Sequence, residues 1–420
     1  MDQIKIDFDV DSRLFDLEER MNWWESLRPS FLERGYDLYH QVREFRGIPQ
    51  DDIISMSPLS VSGVPAEHPY SFIGGDPPDS YTPVLNHFLI GRVICAQDRQ
   101  HRQVAIKLMK INSEEYRILR VLSKEPQLFS AESFGCVVPP LDFLETDEHC
   151  FVVMPRWGDS ATWPWFSTIR EALCYMRCLL KGLCFLHERL IAHRDIKLSN
   201  VLMNHTGRFE DVYENPLRTQ LRHEGRALYA LFDFDCAVMF PRTSRPAERR
   251  LPGHESFIGG GNFSYDTAQG ELDYDPFAYD VAALGQFFCE NFQQLTPITH
   301  FLAPFLDRMM TRDIAKRYAA TQALLAFDDF CSHLLPWQLD TPPPPAKDQC
   351  DPEKYDRWAG LSEDFVQQWS SHREPKLPLT TKVLRRICMQ PLGYAMVQRV
   401  RRICAVFAAR PSFKAYGRSV

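Results

Sequence analysis

The sequence predicts an α+β chain, rich in strands before residue 155 and in helices after it. Three observations carry the prediction. Residues 89–95 and 104–109 are strand-like runs joined by the polar turn 97–103, and 150–154 reads as another buried strand. Residues 168–190 instead repeat Leu173, Met176, Leu180 and Leu183 at helical spacing. Between that helix and a short apolar run at 201–203 lies a polar loop, 193–200, whose side chains suit one chemistry.

The loop reads His193-Arg194-Asp195-Ile196-Lys197-Leu198-Ser199-Asn200. Asp195 can accept a hydroxyl proton, Lys197 can neutralise a transferring phosphate, and the Asn200 side-chain carbonyl can ligate Mg²⁺. The stretch resembles the catalytic loop of protein kinases, H-R-D-x-K-x-x-N, at every fixed position. The resemblance implies a bilobal protein-kinase-like fold with ATP and Mg²⁺ as cofactors. It places a small β-rich N-lobe at 85–155 and a larger helical C-lobe at 156–335, and it makes Asp195 and Lys197 catalytic. A lysine two residues past the catalytic aspartate is the pattern of Ser/Thr-type members.

Ahead of the N-lobe, residues 1–84 read as an acidic helical extension and linker, with 7 Lys/Arg against 16 Asp/Glu. Residues 14–42 have helical character, with Leu14, Leu17 and Met21 on one face, followed by Trp23, Trp24, Leu27 and Phe31. Pro29 predicts a break near Leu27. From 48 to 84 the composition turns to Pro, Gly, Ser and Asp, which reads as a mostly irregular connection.

In the run 104–109, Val104 and Ile106 share one strand face and Ala105 and Lys107 the other. Val104-Ala105-Ile106-Lys107 resembles the kinase strand whose lysine pairs with nucleotide phosphates. Asn112 is a good N-cap for the helix that follows, and Glu115, Ile118, Leu119 and Leu122 share one face. Glu115 is the residue that matches the family's lysine-pairing glutamate, with helix capping as a competing use. Counting back from Lys107, Gly91 and Val93 match the last glycine and the valine of the family's glycine-rich lid. Asn86 and Phe88 stand where its first two glycines belong. The resemblance further implies Met154 as gatekeeper, Pro155 as a carbonyl acceptor for adenine, and Trp157 as an N–H donor to the ring.

Asp233-Phe234-Asp235 resembles the metal-binding D-F-G, with Asp233 and Asn200 as the Mg²⁺ ligands and Asp235 in place of the glycine. Aspartate tolerates left-handed dihedrals, so Asp235 is expected to preserve the turn. Thr267-Ala268-Gln269 stands where A-P-E is usual, and Asp280 matches the aspartate that braces the catalytic loop. With neutral Gln269 as the expected partner of Arg317, that family ion pair is expected to become a hydrogen bond or to be replaced.

Residues 336–420 form a Pro-rich spacer and a basic tail; 372–420 carry 11 Lys/Arg against 1 Asp/Glu. Val397, Val400, Cys404 and Phe407 make one helical face there, opposed by Arg399, Arg401 and Arg402. Docking on the chain's own acidic body is the expectation, ahead of an anionic membrane or nucleic acid. The twelve cysteines include no C-x-x-C pair, which argues against a disulfide framework or zinc clip. With no apolar run of about 18 residues and no signal-peptide pattern, an intracellular chain, cytoplasmic or nuclear, is expected. Three functional classes follow: a Ser/Thr-type protein kinase acting on an unidentified protein substrate, a pseudokinase scaffold, and a small-molecule phosphotransferase.

Overall fold

The computed structural model describes residues 6, 8–12, 16–45, 48–57, 67–75, 91–159, 161–207, 215–259, 264–344 and 352–408. The chain divides into two compact units. Residues 1–193, 198–239 and 324–345 make the first, and 194–197, 240–323 and 346–420 the second.

The first unit opens with two short helices, α1 (Leu17–Ser26) and α2 (Arg28–Glu33). Asp16 caps α1 by accepting from the Glu18 and Glu19 N–H groups at 2.8 and 3.0 Å. Pro29 sits in the first turn of α2, so the break at Leu27 falls where expected. Gly35, at φ +91°, then turns the chain into β1 (Tyr36–Leu38), β2 (His40–Phe45) and β3 (Ile48–Met56).

Two expectations are corrected here. The helical reading of 14–42 fails after Glu33, because Tyr36–Leu38 finds a strand partner far downstream, pairing Tyr36 with Asp98 through Leu38 with Ala96. The mostly irregular reading of 48–84 fails over 48–56, where β3 pairs antiparallel with β2, while 58–66 and 76–84 lie outside the described residues. Pro49 and the Asp51-Asp52 pair interrupt the apolar alternation that marks a strand, so the partner, not the pattern, makes it one. Further on, β4 (Phe72–Ile73) pairs in parallel with His205–Thr206.

The main sheet adds β5 (Val93–Asp98), β6 (Gln103–Lys110), β7 (Asp142–Glu145) and β8 (His149–Pro155), all antiparallel in the order β1-β5-β6-β8-β7. Register sorts its residues into two faces. Ile94, Ile106 and Val153 lie opposite one another, and with Val104, Leu108 and Phe151 they pack against Trp24, Leu27, Phe31 and Leu38 in one buried cluster. Trp24, Phe31 and Phe151 form the centre, with ring centroids 5.1–6.2 Å apart. The Trp24 indole N–H also donates to the Gly91 carbonyl at 2.9 Å. On the other face Val93, Lys107 and Val152 align, as do Cys95, Ala105 and Met154.

Helix α3 (Glu114–Leu122) follows, then the 20-residue α4 (Ile169–Glu188), which the apolar period anticipates. The polar insertion after residue 203 carries α5 (Pro216–His223). From it Arg218, fully buried, donates to the carbonyls of Trp163 and Asp159 at 2.9 Å each, and Arg222 donates to that of Ala161 at 2.9 Å.

In the second unit α6 (Pro276–Phe292) packs on α7 (Leu302–Met310). Gly285 lets the helices approach, because a Cβ there would lie 2.8 Å from that of Met309. Helix α8 (Ala320–Ser332) leads back to the first unit, where α9 (Pro336–Asp340) meets α4 through Arg170 and Asp340 at 2.8 Å. In the second unit again, α10 (Glu363–Gln368), α11 (Leu379–Cys388) and α12 (Pro391–Ala408) complete the described chain. Buried Asp307 on α7 gathers Arg357, the Trp358 indole N–H at 2.8 Å and the Glu374 N–H at 2.9 Å. The Tyr394 hydroxyl donates to the Glu271 carbonyl at 2.8 Å. Among the described residues no helix is long and apolar enough to cross a membrane.

The aromatic cluster under the sheet makes the N-terminal extension part of the first unit's core. Trp24→Ala should lower unfolding free energy by about 3–5 kcal/mol in urea denaturation. A loss below about 1 kcal/mol would show the helices to be dispensable to the sheet.

Candidate functional site

Lys107 is fixed by β6, whose two neighbours place Val93 and Val152 directly beside it. Its side chain is 7% exposed, and its ammonium must therefore find its solvation in the protein. It finds three carboxylates: Glu115 Oε1 at 2.6 Å, Asp233 Oδ1 at 2.8 Å and Asp235 Oδ1 at 3.2 Å. Glu115 is free for this because it does not cap its helix. Ser113, not Asn112, is the N-cap, accepting from the Tyr116 N–H at 3.2 Å. The predicted stripe is otherwise as read, with Glu115, Ile118, Leu119 and Leu122 all buried.

Asp233 reaches Lys107 from a tight turn. It adopts φ +66°, while Asp235 does not have positive φ. The expectation that Asp235 carries the left-handed position is thus corrected. The left-handed residue sits two positions earlier, and position 235 is free to turn its carboxylate onto Lys107. His193 braces this turn, with Nε2 3.0 Å from the Phe232 carbonyl and its ring 5.5 Å from that of Phe234. Arg92 adds a second cation, paired with Asp235 and 3.6 Å from Asp11. Sequence reasoning missed Arg92; its one signal was a basic residue wedged between Gly91 and Val93.

Of the other predicted residues, Val93, Ala105 and Met154 share the sheet face of Lys107. Gly91 is buried at φ +57°. Pro155 ends β8 opposite Val104 and so belongs to the other face. Trp157 is buried, its indole donating to the Pro69 carbonyl at 2.7 Å. Asn200 is buried at the end of a single 3₁₀ turn, Leu198–Asn200, and its backbone carbonyl accepts from the Phe232 N–H at 3.3 Å. Asn86 and Phe88 lie outside the described residues.

In the second unit, Lys197 Nζ lies 2.7 Å from Asp195 Oδ2. The loop is held from behind: Arg194, at φ +67°, donates its N–H to buried Asp280 at 2.7 Å, and its guanidinium meets Glu255 at 3.2 Å. A Cβ on Gly259 would lie 2.1 Å from the Arg194 carbonyl, so only glycine permits that approach.

A family model described as the protein kinase domain matches residues 90–247. A serine/threonine-protein kinase US3 homolog of Cercopithecine herpesvirus 9 is 29% identical over 140 residues, 31% of this chain and 35% of that protein. A probable serine/threonine-protein kinase of Dictyostelium discoideum is 24% identical over 239 residues, covering 54% and 33%. PrkC of Bacillus subtilis, also a serine/threonine-protein kinase, is 28% identical over 113 residues, covering 25% and 17%. This chain carries a protein kinase-like region over residues 90–247. The chain spans about a third or less of the length of each of these relatives.

Of the two outcomes expected at Arg317, replacement of the family pair is the one found. Arg317 pairs not with Gln269 but with Asp266, and donates to the Ala278 and Thr311 carbonyls at 3.0 Å. Its side chain is 1% exposed, and a buried guanidinium takes a carboxylate when one is in reach. Gln269 donates instead to the Tyr265 carbonyl at 2.7 Å.

Electrostatics in the kinase-like domain follow from the cluster's charge count. Burial pushes the Lys107 ammonium down, but Glu115, Asp233 and Asp235 outweigh it and hold the group above its ordinary value. Burial likewise works against the ionised Asp235, yet Lys107 and Arg92 hold it well below the usual carboxylate range. Glu115 goes the other way: burial raises it to about 8, against the pull of Lys107, and its contact with Asp235 adds to the rise. Three carboxylates against two cations leave one negative charge in excess, which a proton or a divalent cation can balance. Glu115, Asp233 and Asp235 each offer an oxygen, all within 4.8 Å of one another. Hard oxygen donors of this kind fit Mg²⁺.

This sets a pH dependence. From about pH 5 to 8 the folded chain keeps a proton on Glu115 that the unfolded chain has released, so stability from this group falls as pH rises. Buried His205, lowered to about 3, acts oppositely, but equally in any variant that leaves it alone. The melting temperature of Glu115→Gln relative to wild type should therefore rise across that window. A constant difference would show Glu115 to be ionised throughout.

Proposed function

We infer that the chain transfers the γ-phosphoryl group of ATP to serine or threonine hydroxyls of a protein. One observation carries this reading above the others: Lys107 lies 2.6 Å from Glu115 and 2.8 Å from Asp233. Three residues from separate stretches thus form the polar set that phosphoryl transfer uses. ATP with Mg²⁺ would supply the transferable phosphoryl group and a divalent charge to balance it. Asp233 and Asn200 are the residues to hold that cation, with Asp235 as an added oxygen donor. Lys107 donates to phosphate oxygens, and Val93, Ala105 and Met154 offer an apolar face for the adenine. Gly91, Pro155 and Trp157 contribute backbone groups in the same reading. Asp195 orients the acceptor hydroxyl and takes its proton, while Lys197, 2.7 Å from Asp195, holds it in place and meets negative charge. Lys197 supports a Ser/Thr acceptor, since that residue marks Ser/Thr-type members of the family.

A second reading, a nucleotide-binding scaffold with little turnover, draws on Asp235. Its carboxylate lies 3.2 Å from Lys107 and also pairs with Arg92, so it competes with phosphate for the lysine.

Purified chain given Mg²⁺ and γ-labelled ATP should label a general protein substrate or itself. Asp195→Asn should lower the rate at least about hundredfold, as loss of an acid–base group does. Equal labelling by wild type and Asp195→Asn would hand the function to the scaffold reading. Transfer to a small-molecule hydroxyl alone would replace the protein acceptor.

A further inference from the structure

Helices α11 and α12 each leave an apolar stripe in water. On α11 it consists of Leu379, Val383 and Ile387, spaced i, i+4, i+8. On α12 it consists of Leu392, Met396, Val400 and Ile403, spaced i, i+4, i+8, i+11. These seven side chains are 46–83% exposed. Isolated exposed apolar residues are ordinary, but two consecutive helices each with a full stripe are not. The stripes are also distinct from the faces that hold the helices to their unit. Among the residues of these helices whose burial is described, Cys388 and Tyr394 are buried, and Tyr394 anchors α12 through Glu271 and through its ring contact with Phe257 at 5.2 Å.

We propose that the α11–α12 segment lies on the surface of an anionic lipid bilayer. Charge selects this occupant. Residues 375–408 contain no Asp or Glu, and residues 409–420 add Arg410, Lys414 and Arg418, again with no acid. Arg386 falls seven residues after Leu379, and Arg399 seven after Leu392, so a guanidinium borders each stripe on its own helical face. Lys382 and Arg402 stand further round, the first paired with Glu353 at 2.9 Å and the second with Gln398 at 3.1 Å. Apolar side chains enter the acyl boundary while arginines extend to the headgroups, as amphipathic helices lying in the membrane plane do. Nucleic acid would satisfy the arginines but leave the stripes in water, and the stripes hold no aromatic ring for bases to stack on. The acidic extension of a second copy is the remaining competitor.

This inference is independent of catalysis, and its test uses the full chain. Vesicles of phosphatidylcholine containing phosphatidylserine should sediment the chain, and vesicles of phosphatidylcholine alone should not. Added salt should weaken the binding. The double variant Leu392→Glu, Met396→Glu should bind at least about tenfold more weakly, because it places charge in the acyl boundary. Arg386→Glu with Arg399→Glu should remove the preference for phosphatidylserine. All four positions are exposed, so the melting temperature should not move. Leu392→Trp gives a second readout, a blue shift of its emission on anionic vesicles alone. Failure to sediment, sedimentation unchanged by Leu392→Glu, Met396→Glu, or a dimer broken by that variant without vesicle binding would each overturn the proposal.

Discussion

The first unit depends on the solvation of one buried ammonium. Lys107 sits on the central part of a sheet where water does not reach it, and Glu115, Asp233 and Asp235 replace the water. Removing a charge from water is affordable only where hydrogen-bonded counter-charges take over. That demand ties strand β6 to helix α3 and to the turn at 233–235. The same demand concentrates acidity: three carboxylates against Lys107 and Arg92 leave a site whose charge is completed by a proton or a divalent cation. In the proposed function, the cation site and the nucleotide lysine are two aspects of one electrostatic arrangement.

Much of this was legible in the sequence because it is local. The alternation Val104-Ala105-Ile106-Lys107 assigns the lysine to its face, and the helical period assigns Glu115 to the buried stripe. The 193–200 loop carries its residue types at fixed spacing. What was not legible is long-range. Strand β1 exists because Asp98, Gln97 and Ala96 are there to pair with it, and nothing within Tyr36–Leu38 says so. Arg317 finds Asp266 and not Gln269 because folding brings a carboxylate to a buried guanidinium, a choice that counting along a family pattern does not see. Asp235 illustrates the same point at closer range. Its identity was visible, but its hydrogen bond to Lys107 depends on the left-handed turn at Asp233.

The N-terminal extension has a structural part in this arrangement. Trp24 and Phe31 fill the sheet face opposite Lys107, and the Trp24 indole secures the Gly91 carbonyl at the entry to β5. The backbone of Gly91 and Arg92 is thereby anchored next to the position from which Arg92 meets Asp235. An acidic, aromatic-rich segment that composition alone marks as an appendage thus supports the chemistry-bearing strand from behind.

The central claim is that the Lys107 cluster receives a nucleotide together with a divalent cation. Calorimetric titration of the wild type and of Lys107→Met with ATP, each with and without Mg²⁺, tests it most directly. The wild type should bind ATP only when Mg²⁺ is present, and Lys107→Met, with its melting transition retained, should bind at least about tenfold more weakly, some 1.4 kcal/mol. Equal affinity in the two proteins, or binding indifferent to Mg²⁺, would contradict the claim.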